Sequence, residues 1–406
     1  MDEKPKLRPV EIFPLRAERG TLIGIRDATG LSDRIVTASP AVVKILQMLD
    51  GEHDLLDIQA ALTRETGALV YSDEIKKVLG LLDEALLLEG ERFEAHRRRI
   101  EEEFAEAPVR QATSAGTSYP EDPAKLGPFL DEVLAEAEST PEAAAAEVRG
   151  IIAPHIDHVR GKKTYAEAFG ALARSKPSEL FVILGTAHAE SSERFVLTRK
   201  DFETPLGTVV TDTDFVDALQ KRSGRDLFAD EFLHRGEHSV ELELVLVQHL
   251  CRKAETEFKI VPVLCGGFTD AMAQDKSPLD LPGVREVTDA LRELIAKDGR
   301  RVCVIAGADL SHVGPRFGTD RRVSRGALRD LEEADRKTLE FVEKADADGF
   351  YENVALDENA RNICGVAPIY VTLKVLTPAE VELLRYEQWS EADGSSCVTF
   401  AACAIP

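Results

Sequence analysis

The sequence has few cysteines, fewer cations than anions and no long apolar run, and each shortage excludes a class of protein. Six cysteines in 406 residues, without a Cys-x-x-Cys pair, are too few for a disulfide framework, so we expect reduced thiols. A formal net charge of −23 at pH 7 repels phosphates and anionic membrane surfaces. Neither nucleic acids nor membranes are therefore expected partners.

The sequence also predicts neither a membrane-spanning segment nor a secretory signal. No stretch approaches the roughly 20 apolar residues that cross a bilayer. The charged N-terminus is not followed by the apolar core of a secretory signal, which predicts a cytoplasmic protein. The composition, 44% hydrophobic and 30% charged, is that of a folded globular protein. The length predicts two domains, and we place them at 1–108 and 109–406.

The first domain shows a probable hairpin followed by amphipathic helices. Strand-like runs at 21–26 and 34–38 flank a turn that contains Gly30. Apolar residues at helical spacing then predict helices beginning at Pro40, Leu55 and Ile75. A charged helix after Glu94 runs into a linker. The pattern predicts a small α+β, winged-helix-like module, and its lack of a basic recognition face argues against DNA binding.

Two stretches of this module, 46–52 and 78–88, resemble the small peptide-binding PqqD-like domains of the pyrroloquinoline quinone pathway. The resemblance implies a surface that captures a peptide or partner protein by adding a strand to an exposed sheet edge. A helical accessory domain for dimerisation or stability is an equally good interpretation of so loose a pattern.

The second domain alternates apolar strand-like runs with helical patterns, which predicts a three-layer α/β sheet. Phe195–Thr198 and Gly207–Thr211, joined through Thr204-Pro205-Leu206, predict an added hairpin. The strands of the sheet are expected near Gly150, Leu180, Phe195, Lys259, Arg301 and Val381.

Polar side chains with metal-binding capacity follow three of these predicted strands. His155 and His188 follow the first two, and Asp309 and His312 follow the strand near Arg301. Ligands bind beyond the carboxyl ends of strands in open α/β sheets, so these residues are expected to converge. Two neutral imidazoles at adjacent strand ends favour a transition-metal site. Asp309 and His312 are three residues apart after their strand, and a carboxylate that accepts from an imidazole N–H fixes the tautomer of a base or of a metal-bound histidine.

Two further positions stand at predicted helix starts. Cys364 precedes a helix with Pro368 in its first turn, where the helix dipole favours a thiolate, so Cys364 is a metal ligand or a nucleophile. His238 precedes another helix and shares a face with Glu241 if that helix has already begun. Capping of the helix is the alternative role for its neighbour Glu237.

In content and order, these motifs resemble the Memo family, whose bacterial relatives include protein B of the AmmeMemoRadiSam system. The matching stretches are Ala115–Pro120, Ile151–His155, Gly185–His188, Thr204–Gly207, Glu237–Glu241, Asp309–His312 and Cys364–Gly365.

The family resembles class III extradiol dioxygenases in fold, which hold Fe(II) by two histidines and a glutamate. The resemblance implies a metal held by His155, His188 and Cys364, and a thiolate ligand admits iron or copper. It also implies that three residues surround the open coordination positions in catalytic roles: His238, Asp309 and His312.

The chain departs from the common Memo pattern directly after the first histidine. It carries Ile156-Asp157-His158 where Ala-Gly-Tyr is usual. Asp157 and His158, with Glu237, are therefore candidate substrate-binding residues, although Asp157 and His158 also fit a subfamily loop without such a role.

Three functions follow from these patterns. The first is a metal-dependent redox enzyme, dioxygenase-like, that acts on a small-molecule or peptide-derived substrate while His238 or His312 moves protons. The second is a metal-dependent hydrolase with Asp309 or His312 as general base. The third is a non-catalytic adaptor that binds a peptide or partner protein. The family name indicates a radical SAM enzyme as a partner. This chain has no Cys-x-x-x-Cys-x-x-Cys motif, so any such chemistry belongs to another protein.

Overall fold

A computed structural model describes residues 4–16, 21–138 and 147–406. The chain divides into two compact units, Met1–Glu106 and Ala107–Pro406. The charged residues 1–3, on which part of the targeting argument rests, lie outside the described residues.

The first unit begins with a three-stranded antiparallel sheet in the order β1-β2-β3. Its strands are β1 (Val10–Arg16), β2 (Thr21–Asp27) and β3 (Ile35–Ala38). The predicted hairpin around Gly30 is confirmed, because Ile23 pairs with Ala38 and Arg26 with Ile35. Strand β1 was not predicted.

Helices follow the sheet, and the apolar stripes of the first three pack with it in one core. They are α1 (Val43–Leu46), which continues a 3-10 turn at Pro40–Val42, α2 (Leu55–Thr66), α3 (Ser72–Glu84) and α4 (Glu91–Glu106). Helix α2 starts at a capping box formed by Asp54 and Asp57, and it ends at Gly67 with a left-handed φ of 65°. The core of this unit joins Ile25 of the sheet to Ile58 and Ile75 of the helices.

The second unit is built on an eight-stranded mixed sheet. Its central strands β5, β11, β6 and β10 are parallel, and β14, β12, β13 and β7 are antiparallel to their neighbours. A small separate sheet has the order β4-β8-β9. The strands of this unit are β4 (Val109–Arg110), β5 (Gly150–Ala153), β6 (Leu180–Thr186), β7 (Phe195–Leu197), β8 (Asp201–Thr204), β9 (Gly207–Val209), β10 (Lys259–Cys265), β11 (Val302–Gly307), β12 (Asp309–Val313), β13 (Glu382–Ser390) and β14 (Cys397–Ile405).

Helices cover both faces of the large sheet. Because side chains alternate along β6, Val182 and Ile183 belong to two different apolar clusters, one on each face of the sheet. Among the described residues, no helix is both long and apolar enough to cross a membrane. The helices are α5 (Pro123–Leu134), α6 (Lys162–Arg174), α7 (Thr213–Ser223), α8 (Glu241–Lys253), α9 (Thr269–Ala273), α10 (Val284–Lys297), α11 (Arg325–Glu343), α12 (Ala347–Ala355) and α13 (Val366–Leu376).

One local prediction is wrong. The run at Phe195 does not pair with the run at Gly207: β7 pairs with β10, and β9 turns back onto β8 through Pro205 and Leu206. A two-residue turn between Thr204 and Gly207 makes that shorter hairpin possible. Asp309 and His312 both belong to β12, which pairs with β14.

Candidate metal centre

The sheet brings the first two predicted histidines to one edge. Strands β5 and β6 both pair in parallel with β11, which lies between them, so their carboxyl ends meet at the same rim. His155 follows β5 by two residues, and His188 follows β6 by two residues. Their rings meet edge to face with centroids 5.0 Å apart.

A third imidazole completes a cluster. The candidate ligand atoms of His155, His188 and His238 all lie within 4.8 Å of one another. The rings of His188 and His238 are stacked with centroids 5.0 Å apart. The His155 side chain is only 2% exposed, whereas those of His188 and His238 are 40% and 42% exposed. The cluster is therefore anchored in the core and open to solvent on one side.

His155 is held by the end of β11. Its Nδ1 donates to the Gly307 carbonyl oxygen over 2.9 Å, which leaves Nε2 as the atom that can bind an ion. Gly307 allows a close approach here, since a Cβ at this position would lie 2.6 Å from the Ser239 carbonyl oxygen. Burial, together with the charges of His188 and His238, holds the pKa of His155 well below its ordinary value, so its neutral form is favoured.

Glu237 organises the other two histidines. Its carboxylate accepts from the backbone N–H groups of His188, His238 and Ser239 at 3.1, 2.8 and 3.0 Å. It also lies 3.0 Å from Nδ1 of His188, an arrangement that directs Nε2 of that ring into the cluster. Burial alone would raise the pKa of Glu237, but the hydrogen bond and charge of His188 outweigh it and lower the pKa strongly.

The pKa of His188 moves in the opposite direction. Burial lowers it, but the hydrogen bond and charge of Glu237 raise it further, and the net result is a raised pKa. The pKa of His238 is lowered, mainly by burial. His238 does not share a helical face with Glu241, because α8 begins only at Glu241 and the Glu241 side chain points to Arg110.

Cys364 lies beside His155. Its Sγ is 3.3 Å from His155 Nε2 and 3.7 Å from the Asp309 carbonyl oxygen. The backbone N–H of Gly365 donates to the same carbonyl, and a Cβ at 365 would lie 2.7 Å from Ala308 Cβ. Burial and then the charge of Asp309 raise the Cys364 pKa well above its ordinary value. Burial therefore opposes the thiolate form that the start of α13 was expected to favour.

Asp309 lies at the start of β12, facing the first histidine. Its Oδ1 accepts from the backbone N–H groups of His155 at 2.9 Å and Ile156 at 3.3 Å, and its Oδ2 is 3.8 Å from His155 Nε2. Burial outweighs both hydrogen bonds and raises the Asp309 pKa to about 7. Both protonation states of this carboxyl are therefore populated at neutral pH.

His312, on the same strand, has other neighbours. Its Nδ1 is 3.1 Å from the Leu310 carbonyl oxygen, and its ring packs edge-on against Phe317 at 5.0 Å. Burial, and then the charge of His188, lower its pKa. It is outside the three-imidazole cluster.

The two residues after the first histidine are engaged in local structure. Asp157 accepts from the backbone N–H groups of Val159 and Arg160 at 3.1 and 3.0 Å, so it holds the turn that follows His155. His158 has no exposed surface, and its Nε2 donates to the Leu242 carbonyl oxygen at 3.0 Å. These placements do not support the predicted contacts with substrate.

Two charged residues near the cluster were missed by the sequence reasoning. Arg110 is fully buried and contacts the segment that carries Glu237. Glu243 is also fully buried, and among the described residues neither of its carboxylate oxygens has a hydrogen-bond partner. Burial, with the charge of Asp309, raises its pKa well above the ordinary value. The only sequence signal for Glu243 is an acid within an apolar helical run.

The donor set suits a transition metal. Imidazole nitrogens bind zinc, copper, iron and nickel, and a thiolate adds preference for softer ions. The three clustered imidazoles can hold such an ion, and the Cys364 sulfur lies within reach of one of them. The identity of the metal does not follow from these ligands.

Fold and site together define a mixed-sheet α/β protein with a histidine cluster able to hold a metal ion. The profile of the Memo-like protein family matches residues 110–404. The chain belongs to the Memo family, as predicted from its ordered motifs.

Relatives of this family resemble the chain over different lengths. It is 27% identical over 401 residues to a MEMO1 family protein of Aquifex aeolicus, with 98% of each chain covered. A MEMO1 family protein of Thermus thermophilus is 30% identical over 347 residues, covering 85% of this chain and 96% of the relative. One from Pyrococcus abyssi is 30% identical over 297 residues, covering 71% of this chain and 95% of the relative.

Proposed function

We propose that the protein is a metal-dependent redox enzyme, dioxygenase-like, with iron or copper held by His155, His188 and Cys364. The observation that supports this most is the convergence of three imidazoles within 4.8 Å with a thiol 3.3 Å from one of them. The exposed faces of His188 and His238 give a substrate access to the same place. His238 is then either a further ligand or a proton carrier next to the open positions.

The chain's own residues have separable roles in this proposal. A bound metal would supply redox chemistry at the coordination positions that the protein leaves open. Glu237 orients the His188 ring, and the Gly307 carbonyl orients that of His155. Asp309 holds or releases a proton near neutral pH, because its pKa is about 7.

The substrate class follows the family resemblance. We propose a small-molecule or peptide-derived substrate within an AmmeMemoRadiSam-type system, with a radical SAM enzyme as partner and a fold relation to the class III extradiol dioxygenases. We also propose a cytoplasmic location, because all six cysteines are free thiols and the cytosol keeps thiols reduced.

Metal analysis tests the ligand assignment. Protein purified anaerobically is expected to carry about one equivalent of metal, and His188→Ala and Cys364→Ala are expected to lose it. His249→Ala is a matched control, because His249 pairs with Asp131 at 2.8 Å at the other end of α8. Cys251→Ala controls for loss of a buried thiol. Unchanged metal content in both test variants would reject the assignment.

A hydrolase is the second candidate, and the Asp309 pKa of about 7 favours it. A general base is most effective when its pKa lies near the working pH. Oxygen uptake with a panel of catechols supports the redox proposal. Anaerobic cleavage of activated esters or peptides that is lost in Asp309→Asn supports hydrolysis instead.

For residues 1–108 we propose a PqqD-like, winged-helix-related accessory domain that recruits a peptide or partner protein, with residues 109–406 as the catalytic domain. Strand β3 is a sheet edge, and its Ile35 is 54% exposed. Other large apolar side chains of this unit are exposed as well: Ile12, Leu56, Leu69, Tyr71 and Leu81.

Pull-downs with the full chain and with a variant lacking residues 1–108 test this adaptor role. Loss of every partner on truncation supports it. An unchanged partner set counts against it.

A further inference from the structure

The chain that enters the second unit carries a buried guanidinium with several acceptors. Arg110, in β4, donates through Nε to the His234 carbonyl oxygen at 2.9 Å and through a terminal nitrogen to the Glu237 carbonyl oxygen at 2.8 Å. It also donates to Thr113 Oγ1 at 2.9 Å and pairs with the Glu241 carboxylate. One side chain thus connects β4, the segment before α8 and the first residue of α8.

Glu241 is held from several directions in turn. Its carboxylate accepts from the backbone N–H groups of Thr113 at 3.0 Å and Ser114 at 2.8 Å, and from the Tyr119 hydroxyl. Burial alone would raise the Glu241 pKa, but the charge of Arg110 and these hydrogen bonds lower it. The carboxylate form of Glu241 is therefore favoured beside the guanidinium.

The position of this ion pair matters more than its strength. A buried ion pair often stabilises a fold no better than apolar residues of the same volume. Arg110, however, donates two of its hydrogen bonds to the carbonyl oxygens at the two ends of the segment 234–237. The next bonds in this chain of contacts run from the Glu237 carboxylate to the N–H groups of His188 and His238.

We propose that Arg110 is a positioning residue for the metal centre. It acts through the Glu237 backbone, fixing the segment from which Glu237 orients His188 and His238 enters the cluster. The inference rests on the proposed metal site. The planar guanidinium is required because it donates to several acceptors in fixed directions. A lysine ammonium at this place keeps the charge but loses that fixed arrangement of donors.

Arg110→Lys is the decisive variant, measured by Co²⁺ affinity and by the Co²⁺ absorption spectrum. Loss of a group that orients metal ligands typically weakens binding by about 10- to 100-fold, and we expect a change of that size together with an altered spectrum. Leu219→Ala is the control. Leu219 is fully buried in α7, so its truncation lowers stability at a site away from the segment 234–241. Unchanged Co²⁺ affinity and spectrum in Arg110→Lys, or changes equal to those of Leu219→Ala, would overturn the inference.

Two additions keep the test decisive. Thr113→Val removes one acceptor of the guanidinium and is expected to cause a smaller shift in the same direction, which serves if Arg110→Lys does not fold. Imidazole NMR signals of the metal-free protein give a second readout. If the wild type binds no Co²⁺, the proposed function fails, yet displaced His188 and His238 signals in the variant still support positioning, and undisplaced signals reject it.

Discussion

The two sides of the histidine cluster treat buried acids in opposite ways. On the paired side, Glu237 and Glu241 have lowered pKa values because His188 and Arg110 face them. On the thiol side, formed by Asp309, Glu243 and Cys364, burial raises every pKa. One protein therefore places charged and protonated acids around the same imidazoles.

This difference in pKa arises from the groups that face each carboxyl, not from how deeply the carboxyl is buried. Glu237 and Asp309 are both buried and both accept backbone N–H groups, yet only Glu237 also faces an imidazole that can carry charge at close range. Desolvation dominates where no cation is close enough to offset it. We infer that the paired side fixes geometry, while the thiol side is suited to hold protons.

Glu241→Gln tests the paired side most severely. Removing one partner of a buried ion pair leaves the other charge uncompensated and typically costs about 3 to 5 kcal/mol. Since the folded pKa of Glu241 is lowered, its contribution is present above pH 4.5 and is lost as the pH falls through the folded value. Urea unfolding at pH 7 and pH 4 measures it. A variant as stable as the wild type at pH 7 would contradict the pairing.

Glu237→Gln is expected to have the next largest effect. The neutral amide no longer fixes the tautomer and direction of the His188 ring, so metal affinity should fall by about 10- to 100-fold. Competition titration with a chromophoric chelator measures this, and Asp131→Asn, which removes the partner of His249, is the matched control. Equal metal affinities of Glu237→Gln and wild type would contradict the inference that the paired side fixes the geometry of the ligands.

Glu243→Gln tests the thiol side by a gain in stability. The folded pKa of Glu243 is raised. Below the unfolded pKa near 4.5 the group is protonated in both states and costs no stability, and stability is lost as the pH rises above 4.5. The amide does not ionise, so we expect a gain in stability at pH 8 that vanishes near pH 4.5. Urea unfolding across this range decides, and a loss of stability at pH 8 would reverse the assignment.

Asp309→Asn is expected to change metal affinity least, by less than about tenfold. The amide oxygen can still accept from the His155 and Ile156 N–H groups, so the first histidine stays in place. The same competition titration applies. A loss of affinity larger than that of Glu237→Gln would mean that the thiol side, and not the paired side, orients the metal ligands.

The sequence predicted the parts of this site that depend on strand ends. Apolar runs marked β5 and β6, and parallel strands bring the residues that follow them together, as the 5.0 Å between the His155 and His188 rings illustrates. Family motifs predicted the membership that the profile match confirms.

Tertiary pairing explains what the sequence could not predict. β12 was missed because its short polar run becomes a strand only by pairing with the distant β14. Arg110 and Glu243 look alike in sequence, each a charge beside apolar residues. Only the fold supplies a counter-ion to the first and withholds one from the second.

Gly365 has a consequence for how this protein tolerates change. Its missing side chain lets the start of α13 lie directly against Ala308 and the Asp309 carbonyl. Any larger residue collides with the Asp309 carbonyl oxygen and Ala308, so the backbone next to Cys364 must shift although no reactive atom is removed. In a saturation mutagenesis screen, position 365 should therefore tolerate substitutions as poorly as Cys364 does, because the space that a side chain would need is already filled.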